Sequence, residues 1–429
     1  MPGTLLPGRG GRAAPSLVSV AESATVSPRQ WGGGPLLFLV SFWVGFNLRA
    51  AILGVPPVLS IVRGALHLSY TEVGLLSGIP ILAFGILALP ASAMVRRWGG
   101  YLVVGFGLAL AALGELARVL PWGGAFPLFA GTAVMGVGIA ITQPGLPALF
   151  QVWFRDHVQR ASVTFTLGIT VGETVAAGIS RPVLYGALHQ WQGTMLVWGA
   201  CGVSCLLAWV WLVPRARIGL AVGERWNLAP LVRTPALWSV YLCFGGQSLV
   251  FFAANTWIPT SAPGGPHSTL ANLSLAVLNG VMIPIDVGLI MLRRGFATNR
   301  HFYLLSSLIT LAGAAGWFLW GDRLPLLFAA LIGIGVAMTF AGLLAYAPLV
   351  APAGRVAPLT AVMLTLGYVC AFCGPLLGGL AIDAGGGPRS PFVPIIAASV
   401  MMVGASLGVR SGLGWGPGPT ERRALTIPD

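Results

Sequence analysis

From Pro35 to Arg410 the chain alternates between long apolar runs and short polar breaks, and the runs share one characteristic length. A bilayer's hydrocarbon layer is about 30 Å thick and takes roughly 20 apolar residues to cross as a helix. Helices and closed barrels alone satisfy their backbone polar groups in that layer. Twelve runs meet the requirement: 35–60, 71–95, 100–119, 126–153, 161–187, 191–213, 236–260, 269–292, 301–320, 324–350, 358–382 and 391–410. The pattern predicts an all-α polytopic membrane protein of twelve transmembrane helices. The longest polar connection, Pro214 to Pro235, splits the spans six and six. The expected organisation is therefore a tail over 1–34, a six-helix bundle over 35–213, a central loop over 214–235, a second bundle over 236–410 and a tail over 411–429. The first 34 residues hold no apolar core of signal-peptide length.

Composition strengthens this picture and removes others. The chain is 56% hydrophobic and 8% charged, with a net charge of +13, against about a quarter charged residues in soluble domains. All 24 basic residues are arginine. If the N-terminus is cytoplasmic, 18 of them fall in cytoplasmic tails and loops and only Arg63, Arg118, Arg323 and Arg389 on the opposite face. That is the positive-inside pattern, so the charge reflects topology and not a nucleic-acid partner. The expected setting is the cell membrane, with both termini cytoplasmic, the lipid bilayer as surroundings and a monomeric carrier. All five cysteines (Cys201, Cys205, Cys243, Cys370, Cys373) lie in apolar segments and all five histidines in loops or at span ends. Neither a metal centre nor a cofactor is expected, and the converging groups an enzyme needs are missing.

The two groups of six share an internal repeat. "MVRRWG" (Met94 to Gly99) aligns with "MLRRGF" (Met291 to Phe296) at a separation of 197 residues, and the same offset superposes "GVGIAIT" (Gly136 to Thr142) on "GIGVAMT" (Gly333 to Thr339). One offset serving two sites argues for duplicated six-helix units around a central cavity. Arg49 then falls opposite Gly246, within "GGQS" (Gly245 to Ser248), and the first and seventh helices should face each other.

Twelve helices as six plus six, a basic loop after the second helix of each half and a long central loop resemble the major facilitator superfamily. "FNLRAAILGVPPVL" (Phe46 to Leu59), "TEVGLLSGIPILAFG" (Thr71 to Gly85) and "FGGQSLVFFAANTWIP" (Phe244 to Pro259) are similar to its cyanate permease and nitroimidazole transporter family. "CGPLLGG" (Cys373 to Gly379), in the eleventh span, resembles the glycine-proline motif that antiporters of the superfamily carry in the fifth, where this chain reads "GITVGETVAAGIS". The resemblance implies a secondary active transporter working by alternating access on a small polar or anionic solute. The other reading it leaves open is drug/proton antiport, the export of a drug or small metabolite. It also implies that the third, sixth, ninth and twelfth helices are outer, lipid-facing ones, and their interiors lack charge apart from Glu115 and Arg118, expected to pair near the end of the third.

The candidate site comes from polar groups at membrane depth. An arginine at a helix centre costs about 2.5–3.5 kcal/mol on insertion scales, so Arg49 must face protein or water and find partners. A solute or gate contact and a structural tie between helices are its two readings. Asn47 lies about 200° around the helix from Arg49, so the two cannot face one cavity squarely. In the fifth span Ser162, Thr166, Thr170, Glu173 and Arg181 form one polar stripe. Glu173 is either a proton-coupling group working against Arg49 or half of a permanent ion pair with Arg49 or Arg181; Arg181 is also a gate candidate. Gln143, Gln247, Asn255 and Asn279 are candidate solute contacts or helix-packing hydrogen bonds. Asp286 reads as a loop anchor, and Tyr346 and Tyr368 as cavity aromatics.

Overall fold

A computed structural model describes residues 34–121, 123–154, 157–213, 228–291, 296–351 and 353–410. Both tails, most of the central loop and the arginines Arg155, Arg293 and Arg294 lie outside the described residues. Among the described residues every element is helical, and eleven helices are long and apolar enough to cross a membrane. A twelfth apolar helix, Phe392–Ser406, has 15 residues.

We number the spans α1 (Pro35–Leu66), α2 (Tyr70–Trp98), α3 (Gly100–Ala117), α4 (Phe126–Thr142, then Gly145–Trp153), α5 (Val158–Leu188) and α6 (Trp191–Leu212). The second six are α7 (Pro235–Ser261), α8 (Thr269–Gly280, then Met282–Met291), α9 (Arg300–Trp320), α10 (Pro325–Val350), α11 (Ala353–Asp383) and α12 (Phe392–Ser406). The face on which α1 begins is called the near face and its opposite the far face.

The main packing pairs of the first half recur six helices later. α1 packs on α5 as α7 does on α11; α3 on α4 as α9 on α10; α2 on α4 as α8 on α10; α6 on α1 and α3 as α12 on α7 and α9. The repeat seen in the sequence supplies part of this. An ideal Cβ on Gly136 would lie 2.6 Å from Pro80 of α2, and one on Gly333 would lie 2.2 Å from the Leu278 carbonyl of α8. Thr142 donates to the Gly138 carbonyl at 2.9 Å and Thr339 to the Gly335 carbonyl at 2.9 Å. The glycines are the cause: without a side chain, backbones approach closely enough for van der Waals packing to hold helices together where lipid removes the hydrophobic drive.

Between the halves the principal interface is α2 against α11. Ideal Cβ atoms on Gly74 and Gly379 would sit 2.3 Å from the Pro375 and Tyr70 carbonyl oxygens, so the two backbones are in direct contact. At the far face Asp383, ending α11, accepts from the Tyr70 and Thr71 amides at 3.2 and 2.7 Å and from the Thr71 hydroxyl at 2.6 Å. A carboxylate at a helix N-terminus satisfies orphan N–H groups and complements the helix dipole. A second far-face latch joins Arg181 of α5 to the Pro266 carbonyl and the His267 ring in the α7–α8 connection.

Four spans are interrupted; α4 breaks between Thr142 and Gly145, at Pro144. α1 breaks at Gly54 and passes through a single 3-10 turn, Pro56–Val58, because two consecutive prolines remove the N–H groups the helix needs. α8 breaks between Gly280 and Met282, and α5 contains a π-helical turn, Ser180–Tyr185, carrying Arg181. Such interruptions are tolerated at membrane depth where protein or a water-filled cavity supports the freed backbone groups.

Candidate functional site at the junction of the halves

Arg49 sits where the two halves meet. Glycines create the setting: Gly168 and Gly172 of α5 bring α1 so close that their ideal Cβ atoms would lie 2.2 and 2.3 Å from the Phe42 and Phe46 carbonyl oxygens. That approach places Arg49 Nε 3.4 Å from Glu173 Oε1. The guanidinium also lies 5.9 Å from the ring centroids of Phe84 in α2 and Phe252 in α7, within cation–π range. Tyr368 of α11, stacked edge-on against Phe84 and Phe244, completes its surroundings. Arg49 and Glu173 are 6% and 4% exposed. One guanidinium nitrogen, Nη1, is buried with no hydrogen-bond partner. Five helices from both halves thus converge on one cation that retains an unused donor.

Arg49 is enclosed by aromatic rings and its counter-ion at the junction of the halves, and does not look openly into the central cavity that the repeat predicts. The near-face continuation of the same stripe differs, with Thr170 buried and Thr166 and Ser162 exposed. Thr170 donates to Asp286 of α8 at 3.3 Å. Asp286 is therefore a cross-junction partner one turn from Glu173, not the loop anchor its place in the sequence suggested.

The other candidates divide. Asn47 donates to the Trp43 carbonyl of its own helix at 2.9 Å. Asn279 donates to Asn255 at 2.8 Å, tying α8 to α7, and each amide also donates to its own helix. Gln247 is 3% exposed and accepts from Ser248 at 2.9 Å. Gly246 faces Met402 of α12, its ideal Cβ 2.5 Å from that side chain, so the residue aligned with Arg49 turns away from it; α7 instead presents Phe252. Gln143 is half-buried where α4 kinks at Pro144. Arg181 is at the far-face latch, remote from Glu173's pairing with Arg49. Tyr346 donates to the Arg410 carbonyl at 2.7 Å and is no cavity residue. Glu115 and Arg118, both 3% exposed, form no ion pair within 4 Å. Arg118 instead reaches inward to the Ala51 carbonyl of α1 at 3.1 Å and to the Met135 sulfur of α4. Sequence position hid this, because a residue at a span's end reads as a rim residue while its side chain is long enough to enter the core.

Paired six-helix halves, broken helices at the junction and a buried cation there define a membrane carrier. The Major Facilitator Superfamily model matches residues 37–375, and the chain belongs to that family. It is a transporter and not an enzyme. It is 29% identical over 377 residues to the 2-nitroimidazole transporter of Escherichia coli strain K12, covering 84% of this chain and 91% of that protein. To the cyanate transport protein CynX of the same strain it is 26% identical over 354 residues, covering 80% and 89%. Among solved structures, a bacterial homologue of the human lysosomal transporter Spinster, captured inward-facing and unoccupied, superposes with a TM-score of 0.69 at 16% identity, covering 91% of this chain and all of that one.

Proposed function

We propose that the protein is a secondary active transporter that moves a small anionic or strongly polar solute by alternating access, with Arg49 as the central solute contact. The observation that carries this reading is the unpartnered, buried Nη1 of Arg49 at the meeting point of α1, α2, α5, α7 and α11. An acceptor group on a solute satisfies that donor through a charge-assisted hydrogen bond, and helices of both halves then close around it. The relatives named for cyanate and 2-nitroimidazole transport favour a solute of that size. Far-face closure by the Asp383 and Arg181 latches, together with exposed Ser162 and Thr166 on the near-face side of the junction, supports a cycle in which the near face opens first. The Glu173 carboxylate holds the guanidinium in place between turnovers; Glu173 and Asp286, the latter held by Thr170 one turn from Glu173, are the groups through which protons would couple.

Proteoliposomes test this. Arg49→Ala should leave folded protein in the bilayer and reduce flux of radiolabelled cyanate or nitroimidazole to background, whereas Arg49→Lys keeps a charge but loses the planar fork and should retain part of it. Flux undiminished in Arg49→Ala overturns the assignment.

A further inference from the structure

We propose that the cavity beside Arg118 is a second anion site, built for one small monovalent anion and separated from Arg49 by Phe252. The cavity lies between Arg49 and the far face, walled by α1, α2, α3, α4 and α7. Its polar lining is Arg118, Ser77, Thr132, Asn255 and Thr256, and Phe252 belongs both to this wall and to the rings around Arg49. The cavity's free volume is about 20 Å³, space for one small particle.

Its chemistry is one-sided. Arg118 Nε, Ser77 Oγ and Thr132 Oγ1 are all buried without hydrogen-bond partners. Asn255 and Thr256 already donate to the Phe251 and Phe252 carbonyls. The lining groups left with no partner at all are thus one N–H and two hydroxyls beside a permanent charge. Glu115, one turn back on α3, does not supply the missing acceptor: it is not within 4 Å of Arg118, and its Oε2 is itself buried without a partner, turned toward Gly202 of α6. Burying an unpaired guanidinium and orphan hydroxyls is costly. An acceptor-only ligand carrying negative charge removes all of these penalties together.

The geometry also explains how Arg118 is held. The proline break in α1 diverts the Val55 amide to the Ile52 carbonyl, leaving the Ala51 carbonyl free for an Arg118 terminal nitrogen. That contact fixes the guanidinium with Nε available. The site itself stands on this geometry; its place as a far-side station on the solute path rests on the carrier reading above, with the Phe252 ring as partition.

Bromide against gluconate, which the cavity cannot admit, is the probe. Thermal unfolding of the detergent-purified full-length protein is followed as sodium bromide replaces sodium gluconate at constant ionic strength. Bromide is expected to raise Tm saturably. Ser77→Ala with Thr132→Val should raise the half-saturating concentration about tenfold, the loss expected on removing donors to a charge, and Arg118→Gln should abolish the effect, while Arg49→Ala should retain it. Crystals soaked in bromide should show an anomalous peak beside Arg118. Bromide no more effective than gluconate would make the cavity a water site and overturn the inference, as would an effect lost in Arg49→Ala and unchanged in the Ser77/Thr132 variant. Loss of bromide binding with Arg49-dependent flux intact sinks this site alone; the reverse sinks the carrier role of Arg49 alone.

Discussion

At the residue scale, the Arg49–Glu173 pair combines two unfavourable groups into one tolerated unit. Removing one partner of a buried pair strands the other charge and costs about 3–5 kcal/mol, whereas replacing both with apolar residues is often neutral. Glu173→Gln should therefore lower Tm more than the double variant Arg49→Met with Glu173→Leu, a non-additive cycle readable by thermal unfolding in detergent. Equal, additive losses would show that the two side chains do not depend on each other. That Arg49 and Glu173 each need a partner was legible in the sequence, because each is a charge deep in an apolar run; the choice of Arg49 over Arg181 for Glu173 was not. The role of Asp286 was not, since depth counted along a broken helix misplaces it. Nor was that of Arg118, whose reach depends on where the α1 backbone opens.

At the element scale, the close approach of α2 and α11 rests on glycine. A Cβ on Gly74 would meet the Pro375 carbonyl oxygen at 2.3 Å and its carbon at 2.8 Å, whereas one on Gly85 meets nothing closer than 3.0 Å. Gly74→Ala must push two backbones apart; Gly85→Ala asks for a few tenths of an ångström. Measured side by side, Gly74→Ala should lower Tm clearly more than Gly85→Ala, and the reverse order would mean that α2 and α11 do not bear on each other at the far face. The "CGPLLGG" motif is part of the same surface: Gly374 abuts the Leu249 carbonyl of α7, Gly378 the Trp257 indole and Gly379 the start of α2. Its sequence spoke of transport chemistry; its place in the fold is packing. The helix count and the 197-residue repeat were readable because apolar length and paired glycines act locally, while the facing of α1 and α7 was readable only in part. Both helices do meet, but the aligned position turns to α12, because sequence register does not fix rotation about a helix axis.

At the scale of the whole molecule, the far-face latches are what an alternating-access cycle must release. With the native cysteines replaced, Thr71→Cys and Asp383→Cys should crosslink on oxidation and stop flux, and reduction should restore it; transport at an unchanged rate while crosslinked would exclude far-face opening at that interface. The second latch should respond to acid. Burial, then the neighbouring Arg181 charge, push the His267 imidazole below the usual histidine range, so the folded latch favours the neutral ring. Its contribution is full above the ordinary histidine pKa, about 6.5, and falls as pH drops through that value and below. His267→Gln should remove this acid dependence from far-face labelling of a cysteine placed at Pro263.

The duplicated halves are mechanically alike but electrically unequal. Arg49, Glu173, Glu115 and Arg118 all belong to the first, and the second answers Arg49 with the rings of Phe252 and Tyr368. With both acids ionised those four charges cancel, which leaves Arg181 as a further buried cation of the first half and Asp286 as an acid of the second. If the halves rock as proposed, those four charges carry no net charge through the membrane field, and the resting voltage, about 2.3 kcal/mol per elementary charge for each 100 mV, would act on Arg181, Asp286 and the solute.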